Sequence, residues 1–268
     1  GSKAPFPHQF TPLAVQVENR TPDAAFYPAE DSFELLRSVL NMSFMFGRYH
    51  MQSGKRRPLA KILPSPVNGV FSLEGEHVAT FYEPLPPAEY RTPTLKDLQI
   101  RFAREYLGTF ASKTPSEVDR VIMNAIAYYG RALDTPNWRN AFLSLWQIIE
   151  MVTFRESDVP KMKEVVNRAE LLLGSATFHK QLLGMAYETR NRLVHEGRFP
   201  GGQEGLKDLC MLKMVVEACI ETLSSIKDRF PTWCELNRFY TYARKMPKER
   251  KAIVGTIREI DKWEGDST

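Results

Sequence analysis

From residue 114 onward apolar residues recur at i, i+3, i+4 and i+7, the spacing that lines one face of an α-helix. After the start signals Thr114-Pro115-Ser116-Glu117, one face carries Val118, Val121, Ile122, Ala125, Tyr129 and Leu133. Threonine is expected at the cap, Pro115 in the first turn, and Glu117 reaching back to the cap. Asp134-Thr135-Pro136 ends that helix, and Asn137 can cap the next, NWRNAFLSLWQIIEMVTF. Its stripe of Trp138, Phe142, Leu145, Trp146, Ile149 and Val152 is broad enough to predict a central position. Further helices are expected over 160–173, 177–196, 204–228, 232–245 and 247–263, with Gly174 and Gly197 where helix C-caps belong.

The first part of the chain reads differently. Thirteen of the 18 prolines lie at or before Pro115, and proline breaks helix interiors and sheet centres. Residues 1–29 hold five of them without a clear period and are expected to form an extended arm. A helix is predicted over 31–52, with Phe33, Leu36, Leu40, Phe44 and Tyr49 near one stripe, followed by a basic loop from Gly54 to Pro58. VNGVFSLEGEHVATFYEP holds two short β-like runs around Glu74-Gly75-Glu76, a hairpin signal, and another helix is expected over 94–109. The fold class that follows is mainly α: a helical bundle with a smaller N-terminal irregular α+β region. Residues 1–112 form the accessory region, 113–230 the bundle, and 231–268 trailing helices that pack on it. All four tryptophans fall after Pro115, which places the main core there.

Composition changes this picture little. At 268 residues the chain can bury a sizeable core, and 43% hydrophobic with 25% charged residues excludes wholesale disorder. No stretch approaches the roughly 18 apolar residues of a membrane span, and no secretory leader is visible, so a soluble cytoplasmic protein is expected. The opening Gly1-Ser2 reads as a cleavage scar. Cys210, Cys219 and Cys234 are odd in number and lack C-x-x-C spacing, which argues against a disulfide framework or a zinc site and for small buried hydrophobes. The net charge of +4 says less than its distribution. Residues 48–61 carry five basic groups and no acid, Lys55, Arg56 and Arg57 among them, and residues 238–251 carry six against Glu249. Such clusters suit phosphate backbones, though each is more often a solvated loop or helix face.

One segment carries chemistry. YETRNRLVHEG, residues 187–197, closes the predicted helix from Thr177 and holds Arg190, Asn191 and His195 in the pattern R-N-x-x-x-H. Histidine can shuttle a proton near neutral pH, and a guanidinium binds two phosphate oxygens through its planar fork. With a ribose 2′-OH as nucleophile, no metal or other cofactor is required. Basic residues followed by glycine also suit an ordinary helix C-terminus. On an ideal helix Asn191 and His195 share a face, while Arg190 lies about 140° from His195. Either the last turn loosens, or two copies face each other across a dimer.

R-N-x-x-x-H at the end of a bundle helix resembles the signature of the HEPN superfamily. The preceding YYGRALDTPNWRNAFLSLWQIIEMVT is similar to the tyrosine-rich helix and L-W-x-x-x-E helix of ApeA-like HEPN proteins. The resemblance covers roughly residues 114–230. It implies a bundle that dimerises so that two Arg/His pairs meet in one cleft and cut RNA without metal, leaving a 2′,3′-cyclic phosphate and a 5′-hydroxyl. Arg190 would hold the phosphate, His195 would transfer or orient the proton, and Asn191 would be the polar member of the motif. Glu150 is the acidic position of the upstream helix and is expected to fix a side chain of the Arg190 helix by an ion pair. Glu196 is a weaker supporting candidate. Arg192 and Arg198, with Lys55, Arg56 and Arg57, are the expected RNA contacts. ApeA-like relatives imply a toxin-like role in antiviral defence or stress, with the N-terminal region sensing or restraining. HEPN toxins that carry a modifiable tyrosine two residues after the histidine differ here, where Gly197 stands. The alternative is a non-catalytic HEPN module for dimerisation or RNA binding.

Other candidates fall away. His8, His50, His77 and His179 have no partner spacing for zinc. Gly201-Gly202 lacks the G-x-x-x-x-G-K frame of a phosphate loop.

Overall fold

The computed structural model describes residues 14–46, 58–64, 67–82, 93–111, 114–155 and 161–265. Its order is α1 (Pro22–Met45), β1 (Val67–Phe71), β2 (His77–Tyr82), α2 (Asp97–Gly108), α3 (Glu117–Asp134), α4 (Trp138–Thr153), α5 (Met162–Leu172), α6 (Thr177–Glu196), α7 (Gly202–Ile226), α8 (Trp233–Ala243) and α9 (Pro247–Gly265). A 3₁₀ turn over Lys227–Arg229 joins α7 to α8. The strands form an antiparallel hairpin with an irregularity between Val70 and Phe71. The architecture is therefore mainly helical, as expected, and no described helix is long and apolar enough to cross a membrane.

The predicted central helix is central. Asn137 accepts from the N–H groups of Arg139 and Asn140 and so starts α4, which packs between α3 and α7. All six stripe residues of α4 are buried in one continuous core. That core also takes Val39, Leu40 and Met42 from α1, which lies along α3 and α2. Trp233, Leu236 and Tyr240 seat α8 on it.

Two helix starts differ from expectation. α1 begins at Pro22, inside the segment expected to be an extended arm, because Thr21 accepts from the Ala24 N–H and Pro22 suits the first turn. Pro28 then lies within the helix. Its missing N–H would have bonded the Ala24 carbonyl, and Asn19 Nδ2 donates to that oxygen instead at 2.7 Å. In α3 the cap is Ser116, not Thr114. Ser116 and Asp119 satisfy each other's backbone N–H groups at 2.9 Å. Glu117 turns away to accept the Trp233 N–H, tying α8 to the start of α3.

The inward face of α1 is more polar than its expected stripe. Glu34, Arg37, Ser38 and Asn41, at i, i+3, i+4 and i+7, are buried alongside Leu40 of that stripe, while Leu36 and Phe44 pack half-buried on the core and Phe33 is half-buried. Tyr49 lies outside the described residues, as do Lys55, Arg56 and Arg57. This polar stripe has a job: Asn41 bonds the backbone of Lys61 and Ile62, and Arg37 donates to the Ile62 carbonyl. Leu59 and Ala60 donate to Leu133 O, so residues 59–62 are strapped across α1 and α3. Gly130 leaves room for the α1 side chains; a Cβ there would meet Ser38 Oγ at 1.9 Å.

Arg37 also bonds both Glu34 and Asp134, with closest approaches of 2.6 Å. Two carboxylates thus share one guanidinium. Burial pushes the Asp134 carboxyl up to about 6, with the Glu34 charge adding to it and Arg37 opposing. The folded chain therefore holds more protons than the unfolded chain between pH 4 and about 6, so this group stabilises the fold less as pH rises through that window. Urea melts should show the wild-type chain gaining stability from pH 7 to pH 4.5 relative to Asp134→Asn. Parallel pH profiles for the two would contradict the shared-charge account.

Two of the cysteines, Cys210 and Cys219 on α7, are buried as expected, whereas Cys234 on α8 is exposed. Residue 234 falls on the outer face of a helix whose inner face is Trp233, Leu236 and Tyr240.

Candidate functional site

α6 ends because Gly197 adopts the left-handed conformation, φ 67°, which glycine enters without the Cβ penalty. Its N–H donates to the Arg192 carbonyl, and the chain turns back so that Phe199 packs on Phe142. The last turn of α6 is left at the surface, where His195 is exposed and its side chain bonds no other described residue. Leu182, Leu183, Ala186, Thr189 and Leu193 form the buried face of the helix.

Arg190 lies at the edge of that buried face. Its side chain is only 17% exposed, and Nη2 stands 4.0 Å from Glu150 Oε1 on α4. The same Glu150 oxygen accepts from Trp146 Nε1 at 2.8 Å, one turn earlier on α4. The Trp146 ring in turn stacks on Tyr187, with centroids 6.1 Å apart. Tyr187, Trp146, Glu150 and Arg190 thus form a continuous seam between α4 and α6. The partly buried ion pair is stronger than an exposed one, because fewer waters screen it.

On the other side of α6, the Thr189 hydroxyl donates to Asp208 of α7 at 2.7 Å, and Arg192 donates to Thr189 Oγ1 at 3.2 Å. Arg192 is thereby drawn toward α7 and away from the Glu150 seam. Arg198 is almost fully exposed and stands 3.6 Å from Glu196. Asn191 is half-buried, and its side chain bonds no other described residue.

Of the motif, the structure joins Arg190 to Glu150 but leaves Arg190 and His195 without a mutual contact. The helix is regular through residue 196, so the last turn does not loosen to bring them together. Trp146, Tyr187, Thr189 and Asp208 are the supporting residues not foreseen. The i, i+4 spacing of Trp146 and Glu150 was a usable signal for the first of them. Among the described residues, no three His, Cys, Asp or Glu side chains converge as metal ligands would.

No family model matches the chain, and no curated protein or solved structure is significantly similar to it.

Proposed function

We propose that this chain is an endoribonuclease of the HEPN type whose site is completed by a second copy. The observation that carries the reading is the R-N-x-x-x-H segment at an open helix end, with Arg190 steadied by Glu150 and His195 presented to solvent. A partly buried guanidinium gives up less motional freedom when it binds phosphate, and an exposed imidazole can reach a substrate proton. The angular separation of Arg190 and His195 is met by pairing two α6 ends, so that each cleft draws on both protomers.

In the reaction, the ribose 2′-oxygen bonds to the adjacent phosphorus and the bond from phosphorus to the 5′-oxygen breaks. The 2′-OH proton leaves to an imidazole, and the departing 5′-oxygen gains one. Arg190 stabilises the charge that gathers on the phosphoryl oxygens. The resemblance to ApeA-like proteins extends the reading to a toxin-like role in defence. A second reading, a helical module that binds without cutting, draws on the fact that Arg190 already has a carboxylate partner.

The test is incubation of the purified chain with total RNA in EDTA, beside His195→Ala and Arg190→Ala. Cleavage by wild type alone, ending in 2′,3′-cyclic phosphates, is the expected result. Intact RNA in all three, with oligonucleotide binding retained, favours the second reading.

A further inference from the structure

The fold gathers cations that are far apart in sequence. Arg244, at the C-terminal end of α8, donates to Glu164 of α5 at 2.6 Å. This contact sets the start of α5, with Lys161 and Lys163, beside the turn that joins α8 to α9, with Lys245, Lys248, Arg250 and Lys251. The two stretches, 161–164 and 244–251, hold seven cations and two carboxylates.

Both carboxylates are already engaged. Glu164 accepts from Arg244 and Arg168, which hold it below the usual carboxylate range against its partial burial. Glu249 caps α9 by accepting the Met246 N–H at 2.7 Å. Lys161, Lys163, Lys248 and Lys251 are exposed, and none of the four is bonded to a carboxylate among the described residues. Lysines at the start of α9 also oppose its own macrodipole, so the corner concentrates positive charge at a cost to the helix.

A chain of contacts runs from this corner to the motif. Glu164 Oε1 meets Arg168 Nε at 3.3 Å, and Arg168 Nη1 donates to the Thr153 carbonyl at 2.9 Å, at the end of α4. Thr153 Oγ1 lies 3.2 Å from the Glu150 carbonyl, and Glu150 faces Arg190.

We infer that this α5/α8/α9 corner is a phosphate-backbone track for an RNA strand, linked to the Arg190 seam through Arg168, Thr153 and Glu150. The inference rests on the RNA reading above for its ligand. A track of separate lysines reads charge rather than base identity, so it gives affinity and placement without sequence preference. It also supplies the grip that a two-residue motif lacks.

The probe is a fluorescent 2′-O-methyl RNA of about 20 nucleotides, which has no 2′-OH to attack, titrated across a salt series. Lys245→Ala/Lys248→Ala/Lys251→Ala is expected to weaken binding at least about tenfold at low salt and to lower the salt slope by about 2, at roughly 0.7 per phosphate contact. Its thermal melt should be unchanged, because these groups support no core contact. An unchanged slope in the triple variant overturns the track. Wild-type binding to phosphatidylserine vesicles but not to the oligonucleotide overturns it in favour of a membrane surface. If the oligonucleotide binds through the corner while no RNA is cut, the track stands and the ribonuclease reading falls.

Discussion

Lys213→Met is expected to cost about 3–5 kcal/mol of folding stability, a large share of the roughly 5–15 kcal/mol that a domain possesses. Lys213 and Glu217 lie one turn apart on α7 with side chains 0% and 1% exposed, and their charged atoms are 2.8 Å apart. Tyr129 of α3 donates its hydroxyl to the same Glu217 oxygen. Burial and the Glu217 charge push the tyrosine well above its ordinary range, so it stays a donor. Removing the ammonium leaves a carboxylate deep in the core with its main countercharge gone. The penalty belongs to that stranded charge more than to the pair itself. Replacing the whole set, as Tyr129→Phe/Lys213→Met/Glu217→Leu, should therefore recover most of the loss. Urea unfolding of the single and triple variants decides the matter. A single variant within about 1 kcal/mol of wild type means the charge finds other relief.

In the cleavage assay, His195→Ala should slow the reaction by about 10²–10⁴-fold, the usual worth of positioned acid–base help. Arg190→Ala should cost a comparable factor through lost charge stabilisation. Glu150→Gln keeps an acceptor for the Trp146 N–H but removes the charge that holds Arg190, so a smaller loss with an unaltered melt is expected. The decisive experiment mixes the two inactive variants. If each cleft takes Arg190 from one protomer and His195 from the other, heterodimers of Arg190→Ala and His195→Ala regain one intact cleft, and activity returns in part. Failure to complement, with mixed dimers shown to form, would assign the reaction to a single protomer.

What could be read in advance follows from how each element earns its stability. The stripe of α4, the Asn137 cap, the hairpin around Gly75 and the left-handed stop at Gly197 are local patterns, and they stand where the sequence puts them. α1 is different, because beside Val39, Leu40 and Met42 it buries a polar stripe that makes sense only against residues 59–62 and Asp134, which arrive from elsewhere in the chain. Hydrophobic periodicity cannot report such a face. The same holds for Pro28, which is tolerated only because Asn19 reaches back to the freed carbonyl. At the site, Arg190 stands 4.0 Å from Glu150 across two helices, and which side chain Glu150 meets is decided by packing rather than by local pattern. The basic corner likewise depends on one long-range contact between Arg244 and Glu164.

The distribution of thiols equips this protein with its own reporter of motion. Cys234 should react with an aromatic disulfide reagent within the mixing time. Cys210 and Cys219 should wait for α7 to come away from its neighbours. Burial raises the Cys219 thiol to about 12, which slows it further until water arrives. The lag between the first equivalent of reagent and the remaining two would then clock the opening of the helix that also carries Lys213 and Glu217, and binding of an oligonucleotide that braces the bundle should lengthen it.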